Sequence, residues 1–453
     1  MVLEWQKQLI NLYNSDRMIY EIASDVKNAL KNKCDEFEIY IDETKTIQLD
    51  SLKDELNFAK EEIECGVGIR VLKDNRQGFA FTSDMNKLKE TSAKAVENTK
   101  LTKADENYAF SEAEKVRDVK KTYDKKFDDL NLEESVELLK DTISQTTDEG
   151  CDVTGSGFSA SGGKTLIINS NDVSVEKNDT IFALGLSVVL EKEGKIATAY
   201  NSHSSRYFDI DNAKLVNEVC GLAKNSIDTK SVETDDYSVV LDYYAATGLL
   251  QTFISAFNGE NVNRGRSILK DKMNTQIASS NLTLSDNPLL EKGLLSSKCD
   301  GEGSASKKTE LIKDGVLNSF IYDIYTANKT GTKTTANGNR FTYRATPEIS
   351  PSNLEFKFSE LKDLGEIDRG VLTTSVLGAH TANPISGDFS VEASNAFKIE
   401  NGEMAHPINK AMISGNIFEI MKNVEGLKSE IRQKGHFIIP KLLVHNLRVV
   451  GQN

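Results

Sequence analysis

Twice along this chain a period-two alternation of apolar residues runs into a tight turn, returns as a second alternating run, and ends in a capped amphipathic helix. In the first unit Val67, Ile69 and Val71 alternate, the turn-forming stretch Lys73-Asp74-Asn75-Arg76-Gln77-Gly78 follows, and Phe79 and Phe81 return. Ser83-Asp84 then opens a helix whose Leu88, Ser92, Ala95, Val96 and Thr99 share a face. In the second unit Leu184, Leu186, Val188 and Leu190 alternate, Glu191-Lys192-Glu193-Gly194 turns, Ile196 to Tyr200 returns, and a helix carrying Leu215, Val219, Leu222 and Ala223 closes. Alternation places one set of side chains on each face of a strand, so each unit reads as a hairpin covered by a helix. The order predicts a diverged duplication over residues 35–100 and 150–225.

The remaining segments fit around these units. The first forty residues, including the stretch around Trp5, read as helical. Asn14-Ser15-Asp16 stands as a cap before Ile19, Ile22, Ala23, Val26 and Leu30, and Phe37, Ile39 and Ile41 then alternate as a strand. A charged segment, Lys103 to Asp129, and a helix from Leu130 to Thr147 lie between the units. The polar run Asp228 to Asp236 marks a domain boundary. The expected class is α+β. Residues 1–230 form a domain of β-sheet with covering helices, and residues 231–453 a mostly-β domain rich in antiparallel hairpins. In the second domain, Tyr237 to Asn258 starts as a strand and becomes a helix. Asp314-Gly315 and Asn401-Gly402 sit between apolar runs, and both pairs tolerate the positive φ that short hairpin turns need. Leu442 to Val450 reads as a final strand.

Charge and cysteine content narrow the functions available. A net charge of −14 opposes attraction to nucleic acid or to an anionic membrane, because phosphate binding needs clustered Lys and Arg. The five cysteines, Cys34, Cys65, Cys151, Cys220 and Cys299, include no CxxC pair and suit free thiols in a reducing cytoplasm. The N-terminal residues do not form a signal peptide, and the most apolar stretch, Tyr237 to Phe257, is too polar to span a bilayer.

Candidate chemistry is sparse. None of the five histidines (His203, His380, His406, His436, His445) has a partner at HExxH or HxxxH spacing. His380 stands in the loop-like run Gly378-Ala379-His380-Thr381-Ala382-Asn383-Pro384. Gly155 to Gly163 lacks GxSxG and reads as a small-residue strand running into a turn. Asp300-Gly301-Glu302-Gly303 lacks the GK[ST] ending of a phosphate loop. Its paired carboxylates suit a cation, a peptide amine or acid–base work, or else a turn in which both accept backbone hydrogen bonds.

Several segments in order resemble the TldD/PmbA family, whose members have been described as modulators of gyrase. They are Gly66-Val67-Gly68-Ile69-Arg70-Val71 with Gly78-Phe79-Ala80; Gly265-Arg266-Ser267; Asp286-Asn287-Pro288; Asp300-Gly301-Glu302-Gly303; Leu311 to Leu317; Ser386-Gly387-Asp388-Phe389-Ser390; Ile399 to Glu403; and Ser414-Gly415-Asn416. The collinear set spans the chain from about residue 18. One branch of the family resembles a zinc peptidase with an HExxxH helix and a later cysteine. The other, PmbA or TldE, lacks these and pairs with the first. Here Tyr243 and Tyr244 stand at the His and Glu positions, Gly248 at the second His, and Leu377 at the cysteine. Gly and Leu offer zinc no lone pair, and phenols stay protonated at neutral pH.

The resemblance therefore implies a non-catalytic PmbA/TldE-type subunit in the cytoplasm, with no cofactor of its own and zinc expected in a TldD-type partner. It also implies that the chain helps to bind and present unfolded peptide, as a dimer with that zinc peptidase subunit or with itself. Asp300, Glu302, Gly303, Tyr243, Tyr244 and His380 are the candidate lining of the peptide groove. Two alternatives stand beside it: a stand-alone homodimeric peptide-binding protein, and a metal-independent peptidase using Asp300 and Glu302.

Overall fold

The computed structural model describes residues 16–451. The expected cap at Asn14-Ser15 and the stretch around Trp5 fall outside them. The first half consists of α1 (Asp16–Leu30), β1 (Glu36–Leu52), β2 (Glu55–Lys73), β3 (Arg76–Thr82), α2 (Leu88–Asn98), α3 (Leu132–Asp148), β4 (Asp152–Asn169), β5 (Ser174–Lys192), β6 (Lys195–Ser205) and α4 (Asn212–Asn225). All six strands join one antiparallel sheet in the order β3-β2-β1-β4-β5-β6. The duplication is visible in that order. Each unit is a helix, three strands and a helix, and the two units meet where β1 pairs with β4.

Alternation decides what each sheet face covers. Ile39, Ile41, Val67, Ile69 and Val71 point to one face, where α1 and α2 bury them with Val26 and Ala95. Ile47, Leu49, Phe158, Phe182, Leu184 and Leu186 do the same under α3 and α4. The opposite face carries Tyr40, Ile167 and Val175, which pack with Cys299 and Tyr343 from the second half of the chain. Close approach there needs glycine: a Cβ on Gly66 would sit 2.1 Å from the Tyr343 ring.

The strands outrun the sequence reading. β1 and β2 stay paired to the turn at Lys53, with β4 on the other side of β1 along the same stretch, and residues 55–62 of β2 are exposed throughout. Gly155 to Gly163 does not end in a turn; β4 runs straight through Gly162-Gly163, and β1 comes so close there that a Cβ on Gly163 would lie 1.9 Å from the Glu43 carbonyl oxygen. Asp84 accepts from the Asn86 N–H and so caps a short 3-10 turn that leads into α2.

The second half supplies β7 (Asp235–Leu241), α5 (Tyr243–Ser255), β8 (Leu282–Asp286), β9 (Thr309–Lys313), β10 (Val316–Leu317), α6 (Ile324–Thr330), β11 (Leu354–Phe358), β12 (Arg369–Leu377), β13 (Asp388–Glu400), β14 (Ala411–Asn416), β15 (Arg432–Lys434), β16 (Phe437–Ile439) and β17 (Leu442–Gly451). β7 pairs with both β12 and β17, and β12, β13, β14 and β17 pair in turn, so five strands close a barrel. A second sheet runs β10-β9-β8-β11-β16-β15. The Asp314-Gly315 turn has φ of 48° and 80°, and Asn401-Gly402 has 50° and 80°, as those hairpins require. Helix α5 buries Ala245, Leu249, Leu250 and Phe253 in the shared core of this half. Its N-terminus is left beside β15, the edge strand of the second sheet, and beside β6.

Candidate functional site

The chain leaves β7 at Leu241 and enters α5 through Asp242, whose carboxylate accepts the Tyr243 N–H at 2.7 Å and caps the helix. Tyr243 and Tyr244 form its first turn. The Tyr243 hydroxyl donates to the Glu430 carbonyl at 2.5 Å, and the Arg432 guanidinium lies 5.1 Å from the ring centroid. The Tyr244 oxygen accepts the Ser202 N–H at 3.0 Å and a proton from the Lys434 ammonium at 3.1 Å, and it shares a 2.7 Å hydrogen bond with the Ser202 hydroxyl. Burial pushes both phenols above their ordinary range.

These residues line a cavity of about 370 Å³ between α5 and β15 on one side and β6 and α4 on the other. Its charges are ordered. Glu218 of α4 receives Arg432 at 2.7 and 3.1 Å, His203 at 3.1 Å and Asn201 at 2.7 Å. Burial alone would raise the Glu218 carboxyl, but the hydrogen bonds from His203 and Arg432, with the Arg432 charge, bring it down to about 2. Lys434 donates to Asn201 Oδ1 at 3.0 Å and to the Ser202 carbonyl at 2.5 Å, and sits 4.4 Å from the Tyr244 ring centroid. Burial, with the Arg432 charge beside it, lowers its ammonium to about 8. Lys441 pairs with Asp242 at 3.0 Å.

Gly248 lies one turn further along α5. A Cβ there would stand 3.4 Å from the Ala379 Cβ and 3.5 Å from Val376 Cγ2. The end of β12 thus packs against the helix, and Leu377 and His380 ride on it, both exposed. Tyr243, Tyr244, Gly248 and Leu377 do not fit a zinc ion. Two phenols held protonated and hydrogen-bonded, a hydrogen and an alkyl group give it no donor set.

Asp300, Glu302 and Gly303 lie elsewhere. Asp300 and Glu302 are 3% and 2% exposed, between the N-terminal sheet and the second half. Asp300 accepts the N–H groups of Glu302 (2.9 Å), Ser304 (3.0 Å) and Gly338 (3.0 Å). Glu302 Oε2 accepts the Ile324 N–H at 2.9 Å, at the start of α6. Gly303 has φ of 82°, and a Cβ there would meet Val173 Cγ1 at 2.9 Å. Of the two readings of this motif, the structure matches the turn that accepts backbone hydrogen bonds. It does not bring the pair into one groove with Tyr243, Tyr244 and His380. Burial raises Asp300 to about 7 and, with the Asp300 charge, raises Glu302 well above its ordinary range.

Sequence reading missed Ser202, Glu218, Asp242, Arg432, Lys434 and Lys441. A signal was present for two of them: in Arg432-Gln433-Lys434 the period of two sends both cations to one strand face. Nothing local marks Glu218 as their partner.

Family models of the PmbA/TldA metallopeptidases match the chain in three parts: domain 1 at residues 37–99, the central domain at 125–227 and the C-terminal domain at 234–451. An uncharacterised protein of Methanocaldococcus jannaschii is 36% identical over 84% of this chain and 88% of its own length. Metalloprotease PmbA of Escherichia coli O157:H7 is 25% identical over 96% and 97% of the two chains. The crystal structure of TldE from Thermococcus kodakarensis superposes with a TM-score of 0.89 at 25% identity, covering 95% of this chain and 100% of that one. A Thermotoga maritima protein described as a modulator of DNA gyrase gives a TM-score of 0.88 at 26% identity, over 95% and 100%. With a family signature along most of its length and this fold, the chain belongs to the PmbA/TldD metallopeptidase family.

Proposed function

We propose that this chain is the zinc-free subunit of a two-chain cytoplasmic metallopeptidase, binding unfolded peptide and presenting it to a zinc-bearing TldD-type partner. The observation that carries the reading is the first turn of α5. Where a zinc peptidase of this family resemblance would place its metal, Tyr243 and Tyr244 spend their hydroxyls on Glu430, Ser202 and Lys434. Without a metal, nothing there lowers the pKa of an attacking water. The cavity beside them is bordered by β15, an edge strand whose outer side pairs with no other strand among the described residues, and an extended peptide can add to such an edge through main-chain hydrogen bonds.

The test is a reconstitution. The purified chain, the zinc-bearing family member from the same host, and their mixture are each assayed on an unstructured polypeptide, with zinc measured per chain by elemental analysis. The expected result is co-purification of the two chains, zinc in the partner alone, and cleavage that needs the partner and is lost to a chelator. About one zinc held by this chain, or cleavage by this chain alone, overturns the reading.

A further inference from the structure

A second cavity, of about 360 Å³, lies between the helix-free face of the N-terminal sheet and the second half of the chain. Sheet register builds its floor. Asp42 on β1 pairs with Thr165 on β4, and Thr165 pairs with Lys177 on β5, so the three side chains stand in one cross-strand row. One step along, Thr44, Gly163 and Asp179 form the next row. Two inter-strand spacings, about 10 Å at the backbone, separate Asp42 from Lys177.

The two charges do not satisfy each other. The Lys177 ammonium makes no ion pair and no hydrogen bond with any described residue, and it feels Tyr40, Asp179 and Asp300 only through space. Asp42 accepts two long hydroxyl bonds, from Thr44 at 3.3 Å and Thr165 at 3.4 Å, both on Oδ1, leaving Oδ2 without a partner among the described residues. Burial, and the Asp179 charge beside it, push the Asp42 carboxyl up to about 6 against the opposing pull of Lys177, which reaches Asp42 through space but not in contact. The other cations at the wall differ in how far they are committed. Arg206 gives its three nitrogens to the carbonyls of Gly293, Thr180 and Ser296 and lies 3.6 Å from Asp179, whereas Arg340 spends one terminal nitrogen on Glu38 and keeps its buried Nε and Nη1 without a partner among the described residues. His436 meets the Ser352 carbonyl through Nδ1.

We propose that this cavity binds a small zwitterion, an α-amino acid or a dipeptide, with its ammonium on Asp42 and its carboxylate on Lys177. Opposite charges held apart across a floor of hydroxyls suit a ligand that carries both. A polyanion would meet Asp42 and Asp179, and a simple amine would meet Lys177. A metal ion is disfavoured because no three His, Cys, Asp or Glu side chains gather into a ligand set among the described residues. The volume is at the small end of ligand sites. Leu294, Leu295 and Pro351 line the same cavity with Phe341, which is 74% exposed, and they offer apolar surface to a ligand side chain. This site is separate from the cavity at Tyr243 and Tyr244.

The experiment is calorimetric titration of the full chain with alanyl-phenylalanine, its N-acetyl form and its C-terminal amide. The expected result is saturable binding of the free dipeptide. Each blocked form, and the free dipeptide on Lys177→Met or Asp42→Asn, should bind about tenfold or more weakly, because each loses one charge-assisted contact. The comparison of blocked and free ligands on the unaltered chain decides the matter even if a variant fails to fold. No saturable binding, equal binding of all three ligands, or undiminished binding to a folded Lys177→Met chain overturns the proposal. None of these outcomes bears on the zinc-free reading, because no partner subunit takes part.

Discussion

Arg340, from the second half of the chain, donates to Glu38 on β1 of the N-terminal sheet, and neither side chain has any exposed surface. Arg70 of β2 binds the same carboxylate through Nε at 2.9 Å and through a terminal nitrogen at 2.5 Å. One acid thus holds two buried cations from the two halves. Burial would raise the Glu38 carboxyl, but the Arg340 and Arg70 charges hold it below its usual value. Replacing it takes the shared, closest carboxylate from two buried guanidinium groups. Glu38→Gln should cost about 3–5 kcal/mol. Glu302 lies further from Arg70, at 3.6 Å, and burial pushes its carboxyl well above its ordinary range, so it is the weaker partner and Glu302→Gln should cost clearly less than Glu38→Gln. Urea midpoints of the two variants at neutral pH check the contrast, and equal losses would refute it.

Asp300 gives a pH dependence with a definite sign. Its carboxyl titrates near 3.8 when free and at about 7 in the fold, so between these values the folded chain holds a proton that the unfolded chain has released. Its contribution is fully present below the lower value and is lost as the pH rises through about 7. Asp300→Asn removes this titration, but it turns an amide towards either the Gly338 N–H or the Glu302 and Ser304 N–H groups that the acid now satisfies. The variant should be less stable by about 1–3 kcal/mol at pH 5, with the deficit shrinking by pH 8. Denaturant unfolding of both chains across that range tests it. A deficit that grows with pH would reverse the assignment.

The repeated hairpin was legible because its alternating residues, Val67-Ile69-Val71 and Leu184-Leu186-Val188, each face a helix, and burial on one face writes a period of two into the sequence. The outer half of β2 was not. Its residues 55–62 face water on both sides, and their strand geometry comes from pairing with β1 alone, which leaves no pattern. The Asp300/Glu302 motif is visible in the sequence, where its Asp-Gly-Glu-Gly pattern suits a turn. Its depth was not readable, because it is the sheet of the other half that covers it. The cavity at α5 was half legible: Tyr243 and Tyr244 stood out against the family pattern, while Glu218 and Lys434 come from positions about two hundred residues apart and meet only through the packing of α4 on β15.

Lys434 should titrate far below an ordinary lysine. Its partners Asn201, Ser202 and Tyr244 are neutral, so nothing in direct contact offsets its burial and the neighbouring Arg432. Reductive ¹³C-methylation followed by NMR titration should show one lysine signal with a midpoint near 8, absent in Lys434→Met. Arg432→Met removes the adjacent positive charge and should move that midpoint up. A midpoint at the ordinary lysine value would mean that the cavity is far wetter than its geometry indicates.

Four substitutions would rebuild what α5 lacks. If Tyr243, Tyr244, Gly248 and Leu377 occupy the metal-binding positions of the zinc-bearing branch, then Tyr243→His, Tyr244→Glu, Gly248→His and Leu377→Cys together should let the chain take up about one zinc, with two imidazoles and a thiolate as ligands. Space permits it. The Cβ of a residue at 248 meets Ala379 and Val376 at 3.4–3.5 Å, an ordinary contact, and Leu377 is 60% exposed and free to turn. The new carboxylate at 244 would lie beside Lys434, which now donates to the Tyr244 oxygen at 3.1 Å, so a loss of that hydroxyl's bonds to Ser202 is partly offset by an ion pair. Elemental analysis after removal of loosely held metal reads the result. Uptake by the fourfold variant and not by one lacking Gly248→His would place the helix and the end of β12 in a metal-competent arrangement. A folded fourfold variant that stays metal-free would mean that substitutions beyond these four positions separate the two branches, and that the aromatic packing around Tyr243 and Tyr244 has reshaped the site as a whole.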